Sequence, residues 1–147
     1  MIEPRTLQKY SLFGGIPEEE IRRILPLMEH ESYGPGDDII VEGRRNDRIR
    51  FILEGRTAAV KNGIILSEFA EGDAFGEMEV LDMMPSAATI KALSGVKVMS
   101  ISNKSLREIY RLDIKVFALV IMNLARDLSR RLRHMDEKAA GAERDPV

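Results

Sequence analysis

The stretch that decides the fold lies in the middle of the chain, where residues 72–92 read GDAFGEMEVLDMMPSAATIKA. It opens on the turn pair Gly72-Asp73, and Gly76 stands directly before a short run that mixes acidic and apolar side chains. A glycine before a helix lets backbone N–H groups come close to an anion, which the positive helix end also attracts. A β-branched run starts at Thr89 and predicts a strand. The stretch therefore predicts a turn, a short helix and a strand, with a candidate phosphate site at Gly76.

Short β-branched runs separated by glycines surround this stretch over residues 33–102. Together with the run at Thr89 they predict six strands, at residues 38–41, 49–53, 57–61, 64–69, 89–93 and 96–101. The separators are typical of turns, and Asn62-Gly63 is a two-residue hairpin signal. This regular spacing of short strands and turns predicts a small antiparallel barrel or jelly roll.

Helices are predicted on both sides of the strands. Pro17 is favoured at a first helical position, and the three glutamates after it suit the positive end of a helix. Helical sequence resumes near Asn103, and a longer helix is predicted over about residues 113–137, which contain no Gly or Pro. The expected fold class is α+β, with residues 1–137 forming one domain. The expected architecture is an antiparallel β-roll, jelly-roll-like (a double-stranded β-helix), with an N-terminal helix and C-terminal helices. Residues 138–147 are expected to be a flexible tail.

The long helix carries an apolar seam whose members recur at alternating steps of three and four residues, apart from an interruption at Arg131. These apolar members are Ile114, Phe117, Ile121, Leu124, Leu128 and Met135. The seam favours a homodimer through its first five members, although a helix that lies on its own barrel also needs an apolar stripe. Other apolar residues widen the stripe, so one helix is expected to contact both the barrel and a partner.

Composition narrows the classes of function. The chain has 147 residues, 44% apolar and 31% charged, which is enough for one compact domain. Its 22 basic and 24 acidic residues give a net charge of -2, so nucleic acid and anionic membranes are not generally attracted. The chain has no cysteine, which excludes disulfides and thiolate metal sites. Residues 1–10 lack the apolar core of a signal peptide, and no run is apolar enough to span a membrane, so we expect a cytoplasmic protein.

Catalysis and DNA binding are disfavoured. A cupin-like enzyme, the weakest alternative, needs clustered metal ligands, whereas the only histidines are His30 and His134. Neither has a Ser or Cys partner at a recognisable spacing, so we expect no catalytic residue, no metal and no cofactor. The basic cluster within residues 126–133 fits the last turns of a helix. Because about ten residues follow the long helix, no DNA-binding domain is expected.

The central stretch resembles the phosphate-binding cassette of cyclic-nucleotide-binding domains. These occur in cyclic-AMP-dependent kinase regulatory subunits, catabolite-activator-type regulators and gated channels. Residues 36–43 and 51–55 are similar to the early strands and glycine turns of the same family, and the similarity runs over about residues 12–137. The resemblance implies a regulatory β-roll whose candidate ligand is a cyclic nucleotide. It also implies C-terminal helices that pass a signal to a protein partner or to a second subunit.

The resemblance also places the candidate site in the cassette. Its residues are Phe75, Gly76, Glu77, Met78, Glu79, Ser86 and Ala87. Gly76 stands at the phosphate-binding glycine, and Glu77 stands where the family has its ribose-binding glutamate. The alternative for Glu77 is a solvated or helix-capping acid, because acids are common at helix starts.

Two cassette positions depart from the family pattern. Ser86 stands where the family usually has an arginine that binds the phosphate. Loss of that charged contact costs about 1.5 to 3 kcal/mol, or roughly tenfold to a hundredfold in affinity. Glu79 replaces a residue that is usually small, and a carboxylate within about 6 Å of a phosphate repels it by on the order of 2 to 3 kcal/mol.

No other cation stands at the motif position. Five arginines crowd the neighbouring strands and loop, and they are expected to be ordinary surface residues. They are Arg44, Arg45, Arg48, Arg50 and Arg56. We therefore predict a non-catalytic regulatory module that binds cyclic AMP and cyclic GMP weakly or not at all. The alternative is a degenerate dimerisation or docking module with no small-molecule ligand.

Overall fold

The computed structural model describes residues 2–143 of the chain. Within them, 3-10 turns occur at Ser11–Phe13 and Leu25–Leu27. The helices are α1 (Pro4–Gln8), α2 (Glu18–Ile24), α3 (Glu77–Asp82), α4 (Asn103–Leu112) and α5 (Ile114–Glu143). The strands are β1 (Glu29–Tyr33), β2 (Asp38–Ile40), β3 (Arg48–Glu54), β4 (Thr57–Lys61), β5 (Ile64–Phe69), β6 (Ala74–Phe75), β7 (Thr89–Ala92) and β8 (Val96–Ser102).

The eight strands form two antiparallel sheets of four strands each. One sheet has the order β1-β8-β3-β6 and the other has the order β2-β7-β4-β5. With helices before, within and after the sheets, this is the α+β β-roll that the sequence predicts, and the fold class is confirmed. All six predicted strands occur, and each of their boundaries lies within one residue of the prediction.

Two strands escaped the prediction. The residues of β1 are mostly polar and β1 pairs only with β8 at a sheet edge, so no apolar alternation marks it. Strand β6 has two residues, which is too short for any periodic signal. Its importance lies in its position, because it ends directly before Gly76.

The hairpin between β4 and β5 follows the predicted turn. Asn62 and Gly63 both have positive φ angles, 54° and 74°, as a two-residue turn of this kind requires. Strand β5 then forms the edge of its sheet. Its first three residues, Ile64, Ile65 and Leu66, are each more than half exposed.

The core has two layers. The first lies between the β1-β8-β3-β6 sheet and the helices, and includes Phe13, Phe51 and Leu124. The second lies inside the roll, where Ile52, Phe69 and Phe75 meet. Because successive strand residues point to opposite faces, Phe51 reaches the helices while Arg50 and Ile52 point toward the roll interior.

Helix α5 is longer than predicted. It begins after Asp113, whose Oδ1 accepts hydrogen bonds from the backbone amides of Lys115 at 3.0 Å and Val116 at 3.2 Å. It continues to Glu143, so the predicted tail at residues 138–147 is wrong for residues 138–143. Alanines favour helix there, and the single Gly141 costs only about 1 kcal/mol. Residues 144–147 lie outside the described part of the chain.

The predicted dimer seam also needs correction. Leu124 is 1% exposed and belongs to the core of its own domain, so its predicted role in an interface is wrong. Phe117 is half-buried and packs edge-on against Tyr110 of α4 at 5.3 Å between ring centroids. The side of α5 that carries Leu124 faces its own roll, because the helices need an apolar face against that sheet.

An outer stripe of α5 lies beside that buried side. We define it as Ile114, Ala118, Ile121, Ala125, Leu128, Leu132, Met135 and Ala139, which recur at alternating steps of four and three residues. Ile121 and Leu128 are half-buried and the other six residues are exposed. Leu132 takes the position that Arg131 appeared to interrupt, so the stripe has no polar break. Of the helices in the described residues, none is both long enough and apolar enough to cross a membrane.

Candidate functional site

Gly76 connects β6 to α3 in a conformation that other residues rarely adopt. It is the N-cap of α3 and has φ 86°. A Cβ atom here would lie 2.8 Å from Nδ2 of Asn46 and 2.9 Å from the carbonyl oxygen of Arg48. Both the backbone angle and the lack of space therefore require glycine. Asn46 Nδ2 donates hydrogen bonds to the carbonyl oxygens of Gly76 and Arg48, at 2.9 and 2.8 Å, so the loop between β2 and β3 forms a wall against the cassette.

Glu77, the first residue of α3, is buried and 1% exposed. Its Oε1 accepts a hydrogen bond from Nη2 of Arg131 on α5, while its Oε2 has no hydrogen-bond partner among the described residues. Arg131 also lies over the ring of Phe69, 5.4 Å from its centroid. The alternative of a solvated acid is therefore wrong. Because buried polar atoms normally have partners, the free oxygen of Glu77 is suited to accept a hydrogen bond from a ligand hydroxyl.

Glu79 adds a second carboxylate to the same short helix and is half-buried. Burial raises the pKa of its carboxyl group, and the negative charges of Glu77 and Asp82 raise it further. The backbone amide of Glu79 and the hydroxyl of Ser86 lower the pKa, but burial has the larger effect. The cassette is therefore an environment that disfavours negative charge.

Ser86 is 6% exposed, and its hydrogen bonds are made within the fold. Its hydroxyl donates to the carbonyl oxygen of Ala88 at 2.6 Å. Its backbone amide donates to the carbonyl oxygen of Arg44 at 2.9 Å, and its own carbonyl accepts from the amide of Gly43 at 2.8 Å. Ser86 therefore joins the cassette to the loop between β2 and β3, and it supplies no positive charge.

The structure brings together some of the predicted site residues. Gly76, Glu77, Glu79 and Ser86 lie around the start of α3, with Glu79 less buried than the other three. Phe75 precedes them and lies in the roll core, 5.7 Å from Phe69 between ring centroids. Met78 and Ala87 are exposed.

Arg131 is the site residue that the sequence analysis missed. The signal was present, because Arg131 is the polar residue that interrupts the apolar seam predicted for this helix. A cation at such a position indicates a buried acid opposite it. What the sequence could not show is that the acid is Glu77, which lies 54 residues away along the chain.

The neighbouring arginines are not all surface residues, and for Arg48 and Arg50 that expectation is wrong. Arg50 is 8% exposed, and its Nε donates to Oε1 of Glu31 at 2.7 Å. Arg48 Nη1 donates to Oε2 of Glu29 at 2.9 Å. Strand β1, which the sequence did not reveal, supplies both of these acids. Their ion pairs hold the two arginine side chains against the protein.

The two histidines lie in different elements, His30 in β1 and His134 on α5. Among residues 2–143, no group of three or more histidine and acidic side chains is placed to hold a metal ion. In the same residues, the only basic side chain between positions 72 and 92 is Lys91, whose Nζ lies 2.7 Å from Oδ1 of Asp38.

Comparison with known proteins connects this geometry to a family. The family model described as cyclic nucleotide-binding domain matches residues 30–113, which is more than half of the chain. The cAMP-dependent protein kinase regulatory subunit of Hypocrea atroviridis is 26% identical over 141 residues, 96% of this chain and 28% of that protein. The subunit of the same name from Aspergillus niger is 30% identical over 105 residues, 70% of this chain and 26% of that protein. The chain spans about a quarter of the length of these relatives.

Solved structures show the same fold. A cyclic nucleotide-binding domain from Methylobacillus flagellatus has a TM-score of 0.84 and 23% identity, covering 95% of this chain and 82% of that chain. The catabolite activator protein of Thermus thermophilus has a TM-score of 0.77 and 25% identity, covering 90% of this chain and 63% of that chain.

Proposed function

Because this chain belongs to the cyclic nucleotide-binding domain family, we propose that it is a non-catalytic regulatory module whose cassette binds cyclic AMP and cyclic GMP weakly or not at all. One observation carries the proposal. Glu77 is buried and keeps an oxygen free for a ligand hydroxyl, but Lys91, the one cation of the cassette, is already paired with Asp38. The sugar-binding half of the site is therefore retained and the phosphate-binding half is not.

The arrangement of charges supports this proposal. Arg131 is the cation that reaches the cassette from α5, and it is already paired with Glu77. Ser86 offers a neutral hydroxyl that donates to Ala88, and Glu79 adds a negative charge. A guanidinium would give a fixed charge and two hydrogen bonds to a phosphate, which a hydroxyl does not replace.

The same charges favour another class of ligand. Carboxylates accept hydrogen bonds from hydroxyl groups, and both Glu77 and Glu79 lie at the start of α3. An uncharged or cationic ligand that carries a sugar would keep these hydrogen bonds and avoid the repulsion that a phosphate meets. We therefore assign the cassette to a neutral or cationic sugar-bearing molecule in preference to an anion.

Calorimetric titration with cyclic AMP and with adenosine tests this proposal, since the two share base and sugar and differ in the phosphate. We expect adenosine to bind more tightly than cyclic AMP. The variant Ser86→Arg with Glu79→Ala should gain roughly tenfold to a hundredfold in affinity for cyclic AMP, because it restores the charged contact and removes the repulsion. A wild-type dissociation constant for cyclic AMP in the low micromolar range or below would refute the proposal.

A matched control separates the pocket from overall charge. Ser32→Arg with Glu19→Ala makes the same two kinds of change at exposed positions on β1 and α2. It should leave the affinity for cyclic AMP unchanged. An equal gain in both double variants would show that net charge alone sets the affinity.

A separate observation supports the alternative that the chain is a docking module. The outer side of α3 and the turn after it expose four apolar side chains, Met78, Leu81, Met83 and Met84. If the chain is a docking module without a ligand, neither adenosine nor cyclic AMP binds the wild type, and the Ser86→Arg variant with Glu79→Ala gains nothing.

We also propose that the chain forms a homodimer through the outer stripe of α5. From Leu132 to Gly141, a third of α5, every residue is exposed, so the roll does not cover this segment. A helical segment of about 12 residues is marginally stable in water unless its apolar face is packed. A second copy presents the same heptad repeat, and two such stripes pack against each other in a coiled coil. A cytoplasmic location remains a prediction from the sequence.

Sedimentation of two matched variants tests the interface. Leu132→Glu places a charge on the outer stripe, and His134→Glu places the same charge on an exposed position of α5 outside the stripe. We expect the wild type and His134→Glu to sediment as dimers and Leu132→Glu as a monomer. A monomeric wild type, or a Leu132→Glu variant that stays dimeric, would contradict this interface.

A further inference from the structure

A cavity of about 240 Å³ lies beside the side chain of Asn46, which also donates a hydrogen bond to the carbonyl oxygen of Gly76. Its lining comes from the end of β2, the loop between β2 and β3, and one residue of β3. The lining residues are Ile39, Ile40, Val41, Arg44, Arg45, Asn46, Asp47 and Arg50. None of them belongs to the cassette, and three of them are arginines.

Arg44 and Arg45 are exposed, and their guanidinium groups have no hydrogen bond or ion pair with any residue from 2 to 143. Asp47 is the one acid in the lining, and its Oδ1 lies 3.0 Å from Nε of Arg48. That hydrogen bond is the main reason why the pKa of the Asp47 carboxyl is lowered. Arg48 therefore shares its charge between Asp47 and Glu29, whereas Arg44 and Arg45 have no acidic partner among residues 2–143.

Arg50 forms the buried end of the cavity. Its Nε donates to Glu31 at 2.7 Å, and its Nη1 donates to Oδ1 of Asn46 at 3.0 Å. Its Nη2 makes no further short hydrogen bond within the described part of the chain, although the side chain is nine-tenths buried. The guanidinium also lies near the hydroxyl of Tyr33 and lowers its pKa against the larger effect of burial. A guanidinium held in place by two partners, with one nitrogen left over, is already oriented for an oxyanion.

From this geometry we propose that the cavity is a binding site for a dianionic phosphate, either inorganic phosphate or the phosphate of a small phosphorylated metabolite. Two uncompensated guanidiniums match the charge of a dianion better than that of a monoanionic carboxylate. Arginine forks bind phosphate oxygens in pairs of hydrogen bonds, which gives the site its orientation. Its lining residues are not part of the cassette, and it takes the class of ligand that the cassette repels.

The cavity is also connected to the cassette through hydrogen bonds. Asn46 accepts from Arg50 and donates to the carbonyl oxygen of Gly76. The backbone of Arg44 is bonded to the amide of Ser86 at 2.9 Å. A phosphate that draws Arg44 and Arg50 together therefore changes groups that hold both ends of the cassette.

Titration of the full chain with inorganic phosphate tests the site, followed by calorimetry and by the backbone amide signals in NMR. We expect saturable binding, with shifts at residues 44–47 and at Gly76. Arg44→Gln with Arg45→Gln should weaken phosphate binding by about tenfold or more, because two charged contacts are lost. Ribose 5-phosphate and ribose then separate the two sources, since a site for a phosphorylated metabolite binds the former more tightly than inorganic phosphate and does not bind the latter.

The control variant removes two arginine charges elsewhere. Arg22→Gln with Arg23→Gln changes exposed residues on α2 and should leave phosphate affinity within about twofold of wild type. Equal weakening in both double variants would show attraction by net charge and overturn the proposal. So would the absence of saturable phosphate binding to the wild type, or binding of acetate as tight as that of phosphate. The gain of the Ser86→Arg variant with Glu79→Ala over the wild type tests the cassette separately, because neither residue lines the cavity.

Discussion

The two sides of Gly76 carry opposite charge. Residues 72–92 contain four acidic side chains and one lysine, whereas residues 42–50 contain four arginines and two acidic side chains. The first set surrounds a buried carboxylate with a free oxygen, and the second lines a cavity with free guanidinium groups. The side chain of Asn46 stands between the two.

This contrast shows that the backbone of the motif and the charge around it are set by different segments of the chain. Gly76 and Glu77 stand at the motif positions, but the arginines lie in the neighbouring loop between β2 and β3 and in β3 itself. Because charge decides which ligands enter and backbone decides where they sit, the two properties can change separately.

Gly76→Ala should be the most damaging change, since it breaks the wall itself. The new Cβ meets Asn46 and the carbonyl oxygen of Arg48 and must also adopt a left-handed backbone, so we expect a loss of about 3 to 4 kcal/mol in the free energy of unfolding. Urea denaturation measures it. Gly63→Ala is the control, because Gly63 has φ 74° and a Cβ added there would meet no atom of residues 2–143 within 4 Å. Gly63→Ala should lose about 1 to 2 kcal/mol from backbone strain alone. An equal loss in the two variants would mean that Asn46 and the Arg48 carbonyl move aside for the new Cβ.

Arg131→Met should have the next largest effect, since it leaves the buried carboxylate of Glu77 without its partner. We expect a loss of about 2 to 3 kcal/mol in the free energy of unfolding. This is less than the loss expected for a fully buried ion pair, because Arg131 is about one-third exposed. Arg130→Met is the matched control. Arg130 is 68% exposed and pairs with Asp127, so its loss should stay below about 1 kcal/mol.

A second variant identifies the cause of the Arg131 effect. Glu77→Gln removes the charge that Arg131 compensates, so adding it to Arg131→Met should recover part of the lost stability. If Arg131→Met with Glu77→Gln is no more stable than Arg131→Met alone, the pair is not what stabilises the cassette.

Glu79→Gln should have the smallest effect, and its sign depends on pH. The pKa of Glu79 is raised in the folded protein, mainly by burial, so the protonated form is favoured and its contribution to stability is present at low pH. That contribution is lost as pH rises through the folded pKa, which lies above the ordinary value of 4.5. At pH 7 Glu79→Gln should therefore be slightly more stable than wild type, by less than about 1 kcal/mol for a half-buried group.

Urea denaturation at pH 4.5 and pH 7 checks this sign. The advantage of Glu79→Gln should shrink toward zero as the wild-type carboxyl is protonated. Glu19→Gln is the control, since Glu19 is 81% exposed and should show no such change. A Glu79→Gln variant less stable than wild type at pH 7 would mean that the carboxylate is held by favourable contacts.

The sequence predicted the β-roll well because its strands depend on local signals. Asn62-Gly63 fixes one turn, and β-branched runs between glycines mark the longer strands. Strand β1 left no such signal, because its polar side chains serve as ion-pair partners for Arg48 and Arg50. Since β1 was missed, the buried state of those two arginines was missed as well.

The site was predicted only as far as the motif reaches. Gly76, Glu77, Glu79 and Ser86 could be named as candidates because they lie within one stretch of sequence. Arg131 and Asn46 come from other elements, and no periodic pattern connects them to the cassette. The long helix was predicted from the sequence. Its inner and outer apolar faces differ by one residue in register, so only burial shows that Leu124 faces inward and Leu132 outward.

The exposed edge of β5 has a consequence for how the protein behaves in concentrated solution. Strand β5 pairs with β4 on one side and has no neighbour on the other among residues 2–143. An open edge beside exposed Ile64, Ile65 and Leu66 is the arrangement that templates growth of intermolecular sheets. Lys61 and Glu68 flank this segment and act as gatekeepers that slow such growth. Replacing either charge should shift the onset of fibril formation to lower protein concentration while the native roll stays intact.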